Sequence, residues 1–397
     1  MSVQPTPGEA HGSRRVPLGT IAREWTRIGV TGFGGPPAHI ALLRQLVVAR
    51  KSWLDGQAFE DANAAVNLLP GPASTQLAIF SAYRVGGPAG AVIGGLGFVV
   101  PAVLFVLALS VVFLSRTPPL WIRGAGAGAG AAVAPVAVRA GIDLLRPSYG
   151  RARERAGLLG RWGLYLVVAA AAAATIGPYL VLVLLGCGIV ELALRHPRSQ
   201  SAADRSGTSL LLVPIAIAKG SVGALAWTAL KVGGLAFGGG FVIIPLMQGD
   251  AVHTYHWMSN AQFLNAVALG QVTPGPVVAT VAAVGYAAHG LAGGLIASAV
   301  AFIPSFSFVL LGGRSFERLR ANRDARAFLD GAGPAAIGAI LGAAIPLTRA
   351  LTETWQFAVL ATAAVMLLVA RRGIVLTLVL GGAAGTLLAL AGAPVPR

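Results

Sequence analysis

The chain has 397 residues, 55% of them hydrophobic and 11% charged, with 30 Lys and Arg against 14 Asp and Glu and a formal net charge of +16. A soluble globular domain carries about 25% charged residues, so this composition excludes an ordinary soluble fold and places most of the chain in lipid. Nor does the basic excess point to nucleic acid, because the arginines cluster between apolar runs and not along one face.

Residues 1–17 are polar and Pro-rich and lack an apolar h-region, so they read as a tail and not as a cleaved signal. A first repeat follows over 18–194. It opens with Phe33-Gly34-Gly35-Pro36, His39 and Arg44, a basic loop with Arg50 and Lys51, then Trp53-Leu54, Phe59 and Asp61. Pro70-Gly71-Pro72 comes next, inside an apolar segment, and is followed by Ser74, Thr75 and Gln76. Proline removes a backbone donor and glycine bends the chain without a Cβ penalty, so no helix runs straight through this triplet. The expectation is two half-helices, 58–69 and 73–85, meeting at mid-membrane depth. Residues 88–115 then carry no charge and are long enough to span. Further spans are expected at 121–145, 162–176 and 178–194, with a Gly-Ala alternation at 124–132 and an Arg-rich loop at 146–161. Cys187 stands alone, which leaves no disulfide framework and no thiolate metal site.

A basic linker, 195–209, leads to a second repeat over 210–397. Phe237-Gly238-Gly239, Trp257-Met258, Phe263 and Pro274-Gly275-Pro276 repeat the first-half motifs at a constant offset of 204 residues, and Gly29/Gly233 and Gly90/Gly294 share it. Spans are expected at 222–247, 291–313, 327–348, 355–370 and 373–392. An internal repeat in an apolar chain, with a helix-breaking element at the same place in each copy, marks a secondary transporter and locates its site.

The basic loops alternate between the copies. Arg44, Arg50 and Lys51 have a counterpart at 248–262 that holds no Lys or Arg, whereas Arg116 and Arg123 correspond to a loop with Arg314, Arg318, Arg320, Arg323 and Arg326. Positive loops stay in the cytoplasm, so the two halves are expected in inverted orientation. The expected fold is an all-α polytopic membrane protein with about ten crossings, five per half, plus two broken or re-entrant Pro-Gly-Pro segments. This scheme puts the N-terminus, with Arg14 and Arg15, outside, against the positive-inside rule.

The candidate anion site comprises Gly34, Gly35, Arg44, Pro70, Gly71, Pro72, Ser74, Thr75 and Gln76 in the first half. In the second it comprises Gly238, Gly239, Thr273, Pro274, Gly275 and Pro276. Free N–H groups at a half-helix start, with hydroxyls beside them, suit an anion. Close packing of small residues accounts equally well for the paired glycines. Gln45, Asn67, Gln248 and Gln271 are neutral donors near these elements. Arg44 and Arg84 offer guanidinium forks, with snorkelling to an interface as the alternative. Asp61, Lys231, Arg139, Asp143 and Glu191 are further charges at membrane depth, with Arg139 and Asp143 spaced to pair on one helix. His39 and Asp61 are candidates for carrying a coupling proton. No HExxH or GxSxG motif occurs, so an intramembrane enzyme is the weaker reading, and a passive channel is a third.

The run Phe33-Gly34-Gly35-Pro36, His39-Ile40-Ala41, Arg44, Trp53-Leu54, Leu69-Pro70-Gly71-Pro72 and Ser74-Thr75-Gln76 resembles the CHR family of chromate transporters. The second half, with Phe237-Gly238-Gly239-Gly240, Pro245-Leu246, Trp257, Phe263 and Thr273-Pro274-Gly275-Pro276, resembles the second domain of its long form. The resemblance implies export of chromate across the inner membrane on an ion gradient and chromate resistance; separately, no cofactor or metal is expected. Expected partners are chromate or a sulfate-like oxyanion, the lipid bilayer and a coupling ion of the proton type, with a homodimer as the candidate assembly. Chromate and sulfate share charge and shape, so transport of sulfate or another oxyanion in the same fold is the alternative.

Overall fold

In the computed structural model, residues 15–66, 71–115, 117–154, 157–195, 221–236, 240–312 and 322–396 are described, and all regular elements among them are helical. Helix α1 (Leu18–Thr31) buries Ile21, Glu24, Trp25, Ile28 and Gly29, a three-and-four spacing that forms one face. After Gly34 and Gly35, at φ 103° and 74°, the chain re-enters a helix as α2 (Pro36–Arg44) and continues in a π turn, Gln45–Arg50. Helix α3 (Gly56–Val66) precedes the Pro-Gly-Pro element, and α4 (Ala73–Phe113) follows it. A kink at Gly87 (φ 68°) splits α4 into two arms. Then come α5 (Leu120–Ala131), α6 (Val133–Arg153), α7 (Leu158–Thr175) and α8 (Leu180–Arg195).

The second half repeats this order. Helix α9 (Val222–Gly234) is followed by α10 (Ile243–Gln248), a π turn over Gly249–Thr254, and α11 (Asn260–Val272). A 3-10 turn, Val277–Thr280, leads into α12 (Val281–Gly312), which kinks at His289 and Gly290. Helices α13 (Arg323–Arg349), α14 (Thr354–Ala364, then a π turn to Val369) and α15 (Ile374–Leu390) complete the chain.

The single span expected over 222–247 is corrected. Helix α9 ends at Gly234, Leu235 and Ala236 lie outside any helix, and Gly240 sits at φ 90°, a conformation no L-residue helix continues through. Each half therefore contains two interruptions, one at the Gly-Gly element and one at Pro-Gly-Pro.

Among the described residues, five helical stretches are long and apolar enough to cross a bilayer: Ala73–Phe113, Leu120–Arg153, Leu158–Thr175, Val277–Gly312 and Arg323–Arg349. Thr354–Val369 and Ile374–Leu390 are shorter and also apolar. Large side chains such as Leu104, Val167 and Leu311 stand exposed on these helices, as lipid-facing residues do. The chain is a multi-pass, all-α membrane protein.

The halves interlock reciprocally. Helix α1 packs on α4 and α9 on α12, while α4 and α12 meet each other. A Cβ on Gly29 would lie 2.8 Å from the Gly97 carbonyl oxygen, and one on Gly233 would run into the carbonyl of Ala301, the residue equivalent to Gly97. Helix α13, the counterpart of α5 and α6, packs on α7 and α8; α15, the counterpart of the α7–α8 corner, packs on α5. Here the Gly-Ala alternation finds its reason. Gly124 and Gly128 let α5 lie backbone to backbone against Gly385 and Gly381 of α15, where any Cβ would clash.

Candidate functional site

Helix α3 and the first arm of α4, Ala73–Gly86, are roughly 16 and 21 Å long at 1.5 Å per residue. Neither reaches across a ~30 Å hydrocarbon core. Pro70 lies outside the described residues, as do Asn67, Gly238 and Gly239. Gly71 and Gly275 occupy the same unusual backbone region, φ 120° and 100°, which a side chain would strain. A Cβ on Gly71 would sit 2.6 Å from Gln76 Nε2 and 3.4 Å from the Gly233 carbonyl oxygen. One on Gly275 would sit 2.5 Å from Ala102 Cβ and 3.7 Å from the Gly29 carbonyl oxygen. Since Gly29 and Gly233 are repeat partners, each break is seated on the first helix of the other half.

Four elements converge on the carbonyl of Gly32, at the end of α1. The Gly275 amide of the second break donates to it at 3.0 Å, and His39 Nε2 lies 2.9 Å from it. The opposite ring nitrogen, Nδ1, is 3.3 Å from Ser74 Oγ at the start of α4. A carbonyl only accepts, so Nε2 carries the hydrogen, and in the neutral ring Nδ1 accepts from the Ser74 hydroxyl. His39 is fully buried, edge-on to Phe98 at 5.1 Å. The imidazole thus joins the two breaks through α2.

Residues 71–80 are all buried. No side chain caps the start of α4, where Thr75 N and Gln76 N both return to the Pro72 carbonyl. Ala73 and Ser74 belong to the turn whose donors lack an intrahelical acceptor. The Thr75 hydroxyl, also in this first turn, is fully buried and has no hydrogen-bond partner among the described residues. At the other break Gln271 Nε2 is likewise buried without a partner, whereas Thr273 and Thr280 donate to the carbonyls of Leu269 and Val277. The two breaks share a backbone and differ in chemistry.

The charged candidates lie elsewhere. Arg44 is exposed and paired with Glu60 at 3.0 Å. Asp61 is partly exposed, with Gln57 Nε2 at 3.4 Å. Arg84 is exposed over the Phe80 ring, and Gln45 is exposed. Arg139 pairs with Asp143 at 2.9 Å and donates to the Leu367 carbonyl, so it ties α6 to the π turn after α14. Glu191 is held by both Arg161 and Arg195. Gln248 donates to Asn260 at 3.1 Å. Sequence reasoning missed Gly32, whose role is carried by a carbonyl that any residue possesses. It also missed Asp250, buried beside Lys231.

The sequence profile of the family described as chromate transporter matches residues 19–192 and 223–386. A chromate transport protein of Cupriavidus metallidurans is 32% identical over 95% of this chain and 94% of its own length. A chromate transport protein of Pseudomonas aeruginosa is 30% identical over 82% of this chain and 80% of its own. An uncharacterized transporter of Methanocaldococcus jannaschii is 27% identical over 76% of this chain and 77% of its own. No solved structure matches.

Proposed function

Because the chain belongs to the chromate transporter family, we propose that it is a secondary active transporter that exports chromate across the cytoplasmic membrane and so confers chromate resistance. The anion binds at the first turn of α4, between the two breaks. The observation that carries this site is the Thr75 hydroxyl, fully buried and unpartnered in the first turn of an uncapped helix. Leaving such a donor unsatisfied costs about 1–3 kcal/mol. A tetrahedral dianion would take that hydrogen bond together with the first-turn amides and the positive end of the helix dipole. Pro70, Gly71 and Pro72 set the start of α4, and Gly275 fixes the second break against Gly32. Arg44, paired at the surface, serves as an entry charge and not as a ligand in the buried site. Inverted halves, supported by the alternating basic loops and the reciprocal packing, would expose the site to each side in turn.

Uptake of labelled chromate into energised everted vesicles, with and without excess sulfate, tests the reading. Energy-dependent accumulation above vesicles lacking the protein is expected. Its absence, in vesicles that contain the protein, removes chromate as substrate; equal potency of sulfate as competitor makes sulfate transport the better description. Thr75→Val tests the site, because it keeps the shape and removes a hydroxyl that no protein group uses. The expected result is unchanged or higher thermal stability in detergent and a raised KM for chromate. An unaltered KM would take Thr75 out of the site.

A further inference from the structure

Both halves bury a carboxylate beside a lysine where the first helix meets the π turn, with the charges exchanged between the two elements. Asp250 lies in the π turn after α10 and is 3% exposed. Its Oδ2 is bound by Lys231 Nζ of α9 and accepts from Thr228 Oγ1, one helical turn earlier, at 2.9 Å. Lys231 is also 5.8 Å from the Trp227 ring centroid. The π turn itself is present in both halves, at Gln45–Arg50 and Gly249–Thr254. The repeat equivalents of Asp250, Lys231 and Thr228 are Leu46, Arg27 and Glu24. Leu46 is buried and apolar, and Arg27 is exposed. Glu24, at the Thr228 position, is 5% exposed and lies 3.8 Å from Nζ of Lys51, which follows the π turn. Each half thus buries one carboxylate at this corner, on the first helix in half one and in the π turn in half two, and buried ion pairs add little stability over apolar packing.

We propose that Asp250 is the carrier of the coupling proton, with Lys231 as the internal cation that replaces it when Asp250 is ionised. This rests on the reading of the chain as an ion-gradient-driven transporter. In the structure Lys231 and Thr228 hold the carboxylate. When a proton from the aqueous side adds to an Asp250 oxygen, the carboxyl turns neutral and its attraction for Lys231 is lost. The α9 contact to the π turn then loosens. Because α9 also carries Gly233, whose carbonyl faces Gly71, the release reaches the anion-binding break through one rigid helix. Proton loss to the other side restores the pair. A metal cation does not fit, since the ammonium of Lys231 already occupies the cation position. The groups around Asp250 are Lys231 and Thr228 of α9 and the nearby Tyr255 that follows the π turn, whose phenol feels the Asp250 charge; His253 stands in the π turn itself, and the turn Gly177–Tyr179, which packs on it, brings Tyr179. Helix α11 contributes no titratable group, and the charges of α8 and α13 that lie nearest each other, Glu191, Arg195 and Asp330, pair among themselves.

The test uses the full chain in liposomes with labelled chromate. Uptake driven by an imposed pH gradient is measured alongside chromate–chromate exchange without a gradient. Asp250→Asn should lose the gradient-driven component, falling to the rate seen without a gradient, while exchange persists; Asp250→Glu should keep both. Gradient-driven uptake that survives in Asp250→Asn overturns the proposal. So does a double variant, Asp250→Asn with Lys231→Gln, that regains gradient-driven uptake, because the pair would then be a structural strut. This double variant also covers the case in which Asp250→Asn alone fails to fold. Wild-type protein that neither accumulates nor exchanges chromate overturns the transport reading itself, a result separate from any of these.

Discussion

His39 is the residue on which the site closes. It donates to Gly32, accepts from Ser74 and is shielded by Phe98. Both ring nitrogens of His39 are engaged, one by a carbonyl and one by a hydroxyl. We propose that its part in transport is to position the breaks, and that makes a definite prediction. His39→Ala leaves the Ser74 hydroxyl without its acceptor and deprives Gly32 of one donor, at a cost of about 1–3 kcal/mol for each buried group left unpaired. The thermal midpoint in detergent should fall and chromate transport should be lost. His39→Gln, which both donates and accepts, should recover part of each, and the pH profile of its transport should match that of wild type. A profile shifted by His39→Gln would mean that the imidazole titrates during the cycle. The sequence singled out His39, but its partners stand 7 and 35 residues away and include a backbone carbonyl, so no local pattern could identify them.

At the scale of elements, the two Pro-Gly-Pro breaks share a backbone and differ in surroundings, so equivalent substitutions should fail differently. Gly71→Ala forces a side chain to φ 120° and displaces the end of a flexible Gln76 amide, which can move. The strain is about 1–2 kcal/mol, and the displaced amide lies beside the first turn of α4. The protein should reach the membrane in near-normal amount and transport poorly. Gly275→Ala instead meets the Cβ of Ala102 on α4, which has no freedom to rotate away, and disturbs the amide that donates to Gly32. Its membrane abundance should drop first. Western blotting of membranes beside vesicle uptake separates the two; equal abundance for both variants would show that the seat of the second break yields easily. Both breaks were legible in the sequence because glycine and proline act on their own backbone. The extra interruption after α9 was not, since Gly238 and Gly239 sit in a run apolar enough to read as one span. The proposed anion site draws on part of the sequence reading. Thr75 stood beside Pro-Gly-Pro and was chosen for its hydroxyl, whereas Arg44 was chosen for its charge and is found paired with Glu60 at the surface.

Across the whole molecule the two halves are not side by side but exchanged. Helix α13 of the second half lies on α7 and α8 of the first, and α15 lies on α5. Gly338 and Gly342 of α13 lie so close to Leu166 and Ala170 of α7 that a Cβ at either glycine would enter the facing backbone. At one end of this seam Glu191, with 0% exposure, takes two bonds from Arg161, at 2.9 and 3.1 Å, and one each from Arg195 and Tyr165. Arg195 in turn reaches Asp330 of α13 at 2.8 Å. The repeat was legible as matched motifs, yet their exchange was not, because small-residue faces fit many partners equally well. The exchange implies that neither half has a complete interior of its own. If the chain is cut within the basic linker 195–209, each half expressed alone should fail to accumulate in membranes, and the two expressed together should associate and restore chromate uptake. Glu191→Ala in the first fragment removes the buried carboxylate that gathers Arg161, Arg195 and Tyr165. Arg161 and Arg195 are about a third exposed and can turn to water, so the loss is that of the charge-assisted bonds, about 1.5–3 kcal/mol, and reassembly should weaken in the split protein and less in the intact chain, where the linker keeps the halves at high effective concentration. Co-purification of a tagged first fragment with the second reads this directly. Stable accumulation of either half by itself would mean that the halves fold as independent units and that the exchanged helices contribute contact without dependence.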